Sequence, residues 1–210
     1  MYAILGVSEG AVCYTTSMIV GIDEVGRGCM AGPLVAGAVL FDRPRPVRGL
    51  KDSKKLTREQ RMALDAKIRQ KAVAFGLGWV MPDELDAVGL TQAVRLAMER
   101  ALAEIETDYE RVIIDGNYNF LRHIEKTETL IKADDLIPAV SAASILAKVA
   151  RDNWMIAAAK SYPGYGFDSH VGYCTPAHRA AVAELGACDL HRRSFAPVRL
   201  ALVPDSEALV

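Results

Sequence analysis

A chain of 210 residues, 51% hydrophobic and 24% charged with a formal net charge of −1, can bury one substantial core and is too apolar for a disordered protein. No apolar stretch approaches the length that spans a bilayer, and the chain does not open with a basic start and a long apolar run, so a cytoplasmic protein with no membrane partner is expected. Cys13, Cys29, Cys174 and Cys188 are widely separated without a C-x-x-C spacing, which argues against a disulfide scaffold and for reduced thiols.

Residues 1–17 carry no strong period and read as a short edge element or a tail. Met18–Asp23 reads as a strand, and Pro33–Phe41, rich in Val, Leu and Ala, as its antiparallel neighbour across a Gly-Arg-Gly loop. Leu56, Met62, Leu64 and Ile68 recur at helical spacing after Thr57, with Gln60 placed to complete a capping box. Val73–Met81 is a third strand, stopped by Pro82. Apolar spacing between Asp83 and Glu106 predicts one or two helices, with Gly89 and Thr91 as a break and new cap.

Arg111–Gly116 and Thr127–Asp135 complete the strands. Pro138–Ser161 is a long apolar helix opening with small residues that permit close packing. A glycine and aromatic loop, a short helix from Pro176 and a final LHRRSFAPV run follow. His170, His178 and His191 fall in this region at poor spacing for zinc and read as packing or phosphate contacts. Residues 1–160 are expected to form the core and 161–210 a substrate-contacting segment and tail. Charge is segregated: residues 42–71 hold eleven Lys or Arg against four Asp or Glu, and residues 81–110 hold two against eight. The first of these suggests a local positive face able to follow a phosphate backbone.

The stretch VGIDEVGRGCMAGP, residues 20–33, organises the rest. A short apolar run delivers two carboxylates, Asp23 and Glu24, to a strand end, where they must be solvated, paired or bound to a cation. Glycines around Arg27 let backbone N–H groups approach a ligand, and the guanidinium offers a planar fork for phosphate. A solvated turn whose arginine pairs with its acids would give the same local pattern. Asp115, and Asp134 beside Asp135, end two further strands, and strand ends of an open α/β sheet converge on one crevice. Four hard oxygen ligands, Asp23, Glu24, Asp115 and Asp134, suit Mg²⁺ or Mn²⁺ over zinc or copper. Two such ions ~4 Å apart support in-line hydrolysis of a phosphodiester. Crowded carboxylates without a cation should have raised pKa values.

DEVGRG with AGP after it, LKDSKKL, VIIDGN, IKADDLIPAVSAASILAKVARD, YPGYGFDSHVGY and HRRSFAPV, together spanning Ile19–Val198, resemble bacterial ribonuclease HII. The resemblance implies an α/β ribonuclease H-like fold, a mixed five-stranded sheet flanked by helices with a C-terminal helical segment. It implies cleavage of the RNA strand of RNA/DNA hybrids, and cutting 5′ of ribonucleotides embedded in duplex DNA, with 3′-hydroxyl and 5′-phosphate products. Asp23, Glu24, Asp115 and Asp134 fall on the family's catalytic metal ligands. Gly26, Arg27 and Gly28 match the loop that reads the 2′-hydroxyl, and Tyr173 the tyrosine that packs on the sugar. Ser53 and Lys54 match its phosphate-contacting segment, and Ser144, Lys148 and Arg151 would face the nucleic-acid backbone. The chain is expected to act as a monomer, with its tail a candidate contact for a replication clamp. One departure is Val171-Gly172-Tyr173-Cys174, where the family usually carries a lysine before the glycine. A DNA nuclease of the same superfamily and a binding module without catalysis are the competing classes.

Overall fold

Five apolar runs pair into one mixed sheet: β1 Ile19–Val25, β2 Leu34–Phe41, β3 Ala74–Val80, β4 Arg111–Asp115 and β5 Thr127–Leu130, in the order β3-β2-β1-β4-β5. The structure, a computed structural model, describes residues 18–42, 47–50 and 53–201, so the expected N-terminal edge element or tail and the candidate clamp contact lie outside the described residues. β2 runs antiparallel to β1, as the short connection through Gly-Arg-Gly favours, and antiparallel also to β3. β4 runs parallel to β1, with Ile22 opposite Ile114, and parallel to β5. That register brings the next residues, Asp23 and Asp115, to the same end of neighbouring strands.

Helices cover both faces. α2 Pro82–Val88 and α3 Leu90–Ala103 lie on one side, where Val94, Ala97, Met98 and Ala101 pack against β1 to β4. α5 Pro138–Ala158 lies on the other and carries α1 Arg58–Lys71 along its side. Val140, Ile145 and Leu146 of α5 are fully buried, each contributing roughly 1.5–3 kcal/mol of apolar burial. The approach is close because a Cβ on Gly21 would overlap the Ala139 and Val140 backbone, and one on Gly37 the Ala143 carbonyl. A helix set this near the sheet can reach the β1 carboxylates with its side chains.

Local signals hold in detail at α1, where the Thr57 hydroxyl accepts from Gln60 N–H at 3.2 Å and the Gln60 side chain accepts from Thr57 N–H at 2.9 Å. Gly89, with φ of 79°, separates α2 from α3, and Thr91 lies inside α3 rather than capping it. The fifth strand is shorter than expected. It ends at Leu130, Lys132 turns the chain through φ of 60°, and Asp134 and Asp135 sit on the single-turn helix α4, Ala133–Leu136. The cause is Asp115, whose carboxylate accepts from Ala133 N–H at 2.8 Å and caps this turn.

The C-terminal segment, with α6 Phe167–His170, α7 Pro176–Leu185 and α8 Ala196–Ala201, is stitched to the β1–β2 connection. Cys29 bridges to Tyr173 and Ala31 to His191, while Ala31, Met155, Phe167 and Leu190 share one apolar cluster. No helix among the described residues is long and apolar enough to cross a membrane.

Candidate active site

Asp23, Glu24 and Asp115 come close enough at the ends of β1 and β4 to act on one another. Asp23 is pushed up to about 8, first by burial and then by the neighbouring Glu24 charge, with Asp115 adding to the rise. Hydrogen bonds from Ser144 and from the Glu24 backbone N–H, the latter 2.8 Å long, oppose that rise without cancelling it. Glu24 is likewise raised by burial, against the pull of Arg27, whose guanidinium lies 3.4 Å from it. Asp134 directly follows the Ala133 amide that Asp115 holds, and its carbonyl accepts from the Ser141 hydroxyl of α5. Among the described residues no three acidic, histidine or cysteine side chains are drawn together closely enough to hold an ion as they stand.

Beside the acids lies the turn. Gly26 has φ of 88°, and a Cβ there would run into the Arg151 side chain, so only glycine fits. Arg27 and Gly28 are exposed, and the Arg27 guanidinium lies 5.6 Å from the Phe120 ring centroid. Tyr173, 38% exposed, is held next to this turn through its bridge to Cys29. Lys148 Nζ sits 4.9 Å from the tyrosine ring centroid and 3.5 Å from its hydroxyl, and pairs with Asp152 at 2.9 Å. A cleft of about 460 Å³ opens along Tyr173, Lys148 and His170, with Arg58 and Arg61 of α1 on its wall. Part of the basic segment noted in the sequence therefore lines this cleft.

Other expected contacts sit elsewhere. Arg151, expected to face a nucleic-acid backbone, is fully buried and donates to the Pro33, Val171 and Ala31 carbonyls at 2.8, 2.8 and 3.0 Å. It is a brace, because a guanidinium surrounded by carbonyls has no face left for phosphate. Ser53 and Ser144 are buried too, their hydroxyls 3.0 Å apart, and Ser144 bonds Asp23. They form a relay that orients the carboxylate. Lys54 lies in the single-turn helix Ser53–Lys55. Val171 adopts φ of 44°, an unusual conformation for a β-branched residue.

Sequence reasoning singled out neither Arg192, which is fully buried under the turn, nor the pairing of His178 with His191. His178 Nδ1 faces the Tyr173 carbonyl at 2.9 Å and so donates to it. Its Nε2 then accepts from His191 Nε2 at 3.1 Å, and His191 Nδ1 accepts from Cys188 N–H at 3.0 Å. Only neutral rings satisfy this chain, and burial accordingly holds both histidines down at about 4. Their signal in the sequence was apolar company: His178 lies one turn from Val182, and His191 follows Leu190.

A mixed sheet with acidic strand ends beside a glycine turn, flanked by helices on both faces, defines a hydrolase of the ribonuclease H-like fold. The sequence model for ribonuclease HII matches residues 20–198. The chain is 49% identical to the ribonuclease HII of Nitrosococcus oceani, covering 91% of this chain and 96% of that one. It superposes on the crystal structure of ribonuclease H2 from Pyrococcus horikoshii with a TM-score of 0.75 at 27% identity, covering 87% and 96% of the two chains. Ribonuclease HII in the PCNA complex from Archaeoglobus fulgidus gives a TM-score of 0.73 at 27% identity, covering 85% and 95%. The chain belongs to the ribonuclease HII family and is a nuclease of the ribonuclease H type.

Proposed function

We propose that this chain hydrolyses the RNA strand of RNA/DNA hybrids and cuts on the 5′ side of ribonucleotides embedded in duplex DNA, leaving 3′-hydroxyl and 5′-phosphate ends. The observation that carries this is the crowding of Asp23, Glu24 and Asp115 at neighbouring strand ends beside a glycine turn tied to Tyr173. An all-oxygen donor set suits Mg²⁺ or Mn²⁺, and Asp23, lifted to about 8 by burial first and by the Glu24 and Asp115 charges after it, is a carboxylate whose ionised form a divalent cation would stabilise. Asp23, Glu24, Asp115 and Asp134 would hold the metal. When bound, a pair of such ions supplies an activated water and a hold on the leaving oxygen.

The protein's own groups do the rest. Ser53 and Ser144 orient Asp23. The backbone of Gly26, Arg27 and Gly28 meets the 2′-hydroxyl, the one group that marks a ribose at a single position of a duplex. Tyr173 packs on the sugar, and Lys148, steered by Asp152, faces the phosphates. Residues 1–160 carry the chemistry and 161–210 the remaining contacts, in a chain acting as a monomer. Since the A. fulgidus relative occurs in a PCNA complex, a clamp contact through the tail belongs to the same proposal.

Duplex DNA with one ribonucleotide, incubated with and without Mg²⁺ or Mn²⁺ and mapped on a sequencing gel, tests this. The expected result is a divalent-dependent nick immediately 5′ of the ribonucleotide. Equal cutting of an all-DNA duplex would refute it in favour of a DNA nuclease.

A further inference from the structure

Two buried cations lie beneath the Gly26–Pro33 turn, and the reaction as described uses neither. Arg192 Nε and Nη2 donate to the Gly32 carbonyl at 3.0 and 2.9 Å, and Nη1 donates to the Arg27 carbonyl at 3.2 Å. Arg151 takes the carbonyls of Ala31, Pro33 and Val171. A guanidinium is costly to dehydrate and repays burial only when its donors are satisfied, as these are. Arg192 itself is fastened from both sides. Its N–H donates to the Met30 carbonyl at 2.9 Å, and the next two amides, Arg193 and Ser194, donate to the Asp86 carboxylate of α2 at 2.6 and 3.1 Å.

The bond to Arg27 has a geometric consequence. In a trans peptide the C=O and the following N–H point in opposite directions. Drawing the Arg27 carbonyl inward to Arg192 therefore aims the Gly28 N–H outward, at an exposed glycine beside the carboxylates. Arg151 meanwhile couples the same turn to Val171, and the Gly172 carbonyl accepts from Met30 and Ala31 N–H at 3.0 and 3.3 Å. The turn that meets the 2′-hydroxyl and the turn that carries Tyr173 are thus one braced unit.

We infer that Arg192 is a positioning residue for ribonucleotide recognition: it sets the Arg27–Gly28 peptide plane and, with Arg151, fixes the hydroxyl-reading turn against Tyr173 before nucleic acid arrives. This rests on the proposed reading of that turn. A duplex with one ribonucleotide offers one hydroxyl in one register, whereas a continuous hybrid offers a hydroxyl at every step, so a displaced turn can engage a neighbour. Misplacement should therefore harm the first substrate far more.

R192K keeps the charge, but a single ammonium cannot reproduce the fork that spans Gly32 and Arg27. It should lower kcat/KM on the single-ribonucleotide duplex by about 10- to 100-fold and on a continuous RNA/DNA hybrid by less than about a third of that factor. Hydrogen exchange at the Cys29 and Met30 amides, which close the turn onto Gly26 and Gly172, should quicken while the sheet stays protected. For R192A, guanidinium in solution should restore part of the lost selectivity. Proportional losses on both substrates, or exchange at Cys29 and Met30 as slow as in the parent, would overturn the inference. A parent chain that cuts neither substrate would overturn the proposed function instead, and the exchange measurement would still decide whether Arg192 fixes the turn.

Discussion

At the ends of β1 and β4, Asp23, Glu24 and Asp115 lie together, and Asp23 is lifted to about 8, by burial first and then by the neighbouring carboxylates. Under the adjacent turn, Arg151 and Arg192 are buried as well, but their charge is spread over carbonyls at 2.8 to 3.2 Å. One region leaves charge uncompensated and the other compensates it within the fold. The difference fits the role proposed for each region. A site proposed to take up a cation would gain affinity from carboxylates left uncompensated, while a turn proposed to present one amide in one direction needs its carbonyls fully occupied.

Removing a ligand breaks the comparison most sharply. Asp115→Asn should lower strand cutting by more than about 10³-fold, and in divalent-free buffer it should raise the melting temperature, since one repelling charge is gone. A gel assay and a thermal melt on the same preparation check both. If cutting and stability fell together, the cluster would be structural.

Next in size is the turn. Gly26→Ala places a Cβ at φ of 88° against the Arg151 side chain, costing roughly 1–3 kcal/mol of backbone strain. Chemical denaturation should show that loss, with ribonucleotide cutting reduced as well.

The acids and the buried histidine pair of the C-terminal segment titrate in opposite senses. Asp23 has a folded-state value of about 8 against 3.8, so its contribution favours folding most below pH 4 and is lost as pH rises through about 8. His178 and His191, at about 4 against 6.5, contribute fully above pH 6.5 and lose that contribution as pH falls toward 4. Protonating His178 opposes two N–H groups across the 3.1 Å contact, and protonating His191 sets its Nδ1–H against the Cys188 N–H at 3.0 Å, each at a cost of up to about 3 kcal/mol. In divalent-free melts, Asp23→Asn should gain on the parent steadily from pH 4 to pH 8. His178→Gln should flatten the acid limb instead.

The smallest effect concerns the departure in the loop. Val171→Lys relieves a β-branched residue at φ of 44° and adds a charge near Tyr173. Binding to a hybrid should tighten a few-fold at low salt, with the log–log salt slope steeper by about 0.9. Unchanged binding at every salt concentration would show that this position does not face phosphate.

Much of the site could be read from residue order because strand ends are local features. Apolar runs stopping at Asp23, Glu24 and Asp115 mark both the sheet and its acidic edge, and Thr57 with Gln60 marks the start of α1. Asp134 also ends an apolar run, yet it lies on α4 because Asp115 captures the amide of Ala133, eighteen positions further along the chain. Long-range capture of this kind leaves no trace in periodicity. Arg151 misled for a similar reason. On an isolated helix it shares a side with Lys148, but the C-terminal segment closes over it and supplies Val171 as a partner. Arg192 was hidden in HRRSF, where nothing local distinguishes the buried arginine from the exposed Arg193 beside it.

The most direct test of the central claim, that these acids form one cation-seeking cluster, is the carboxyl-carbon titration of Asp23 by NMR, in divalent-free buffer and again with Mg²⁺. The account predicts a midpoint near 8 without the ion, a lower one in Asp115→Asn, and a collapse toward the ordinary value of about 4 when Mg²⁺ is present. A midpoint already near 4 without the ion, indifferent to both Asp115→Asn and Mg²⁺, would contradict it.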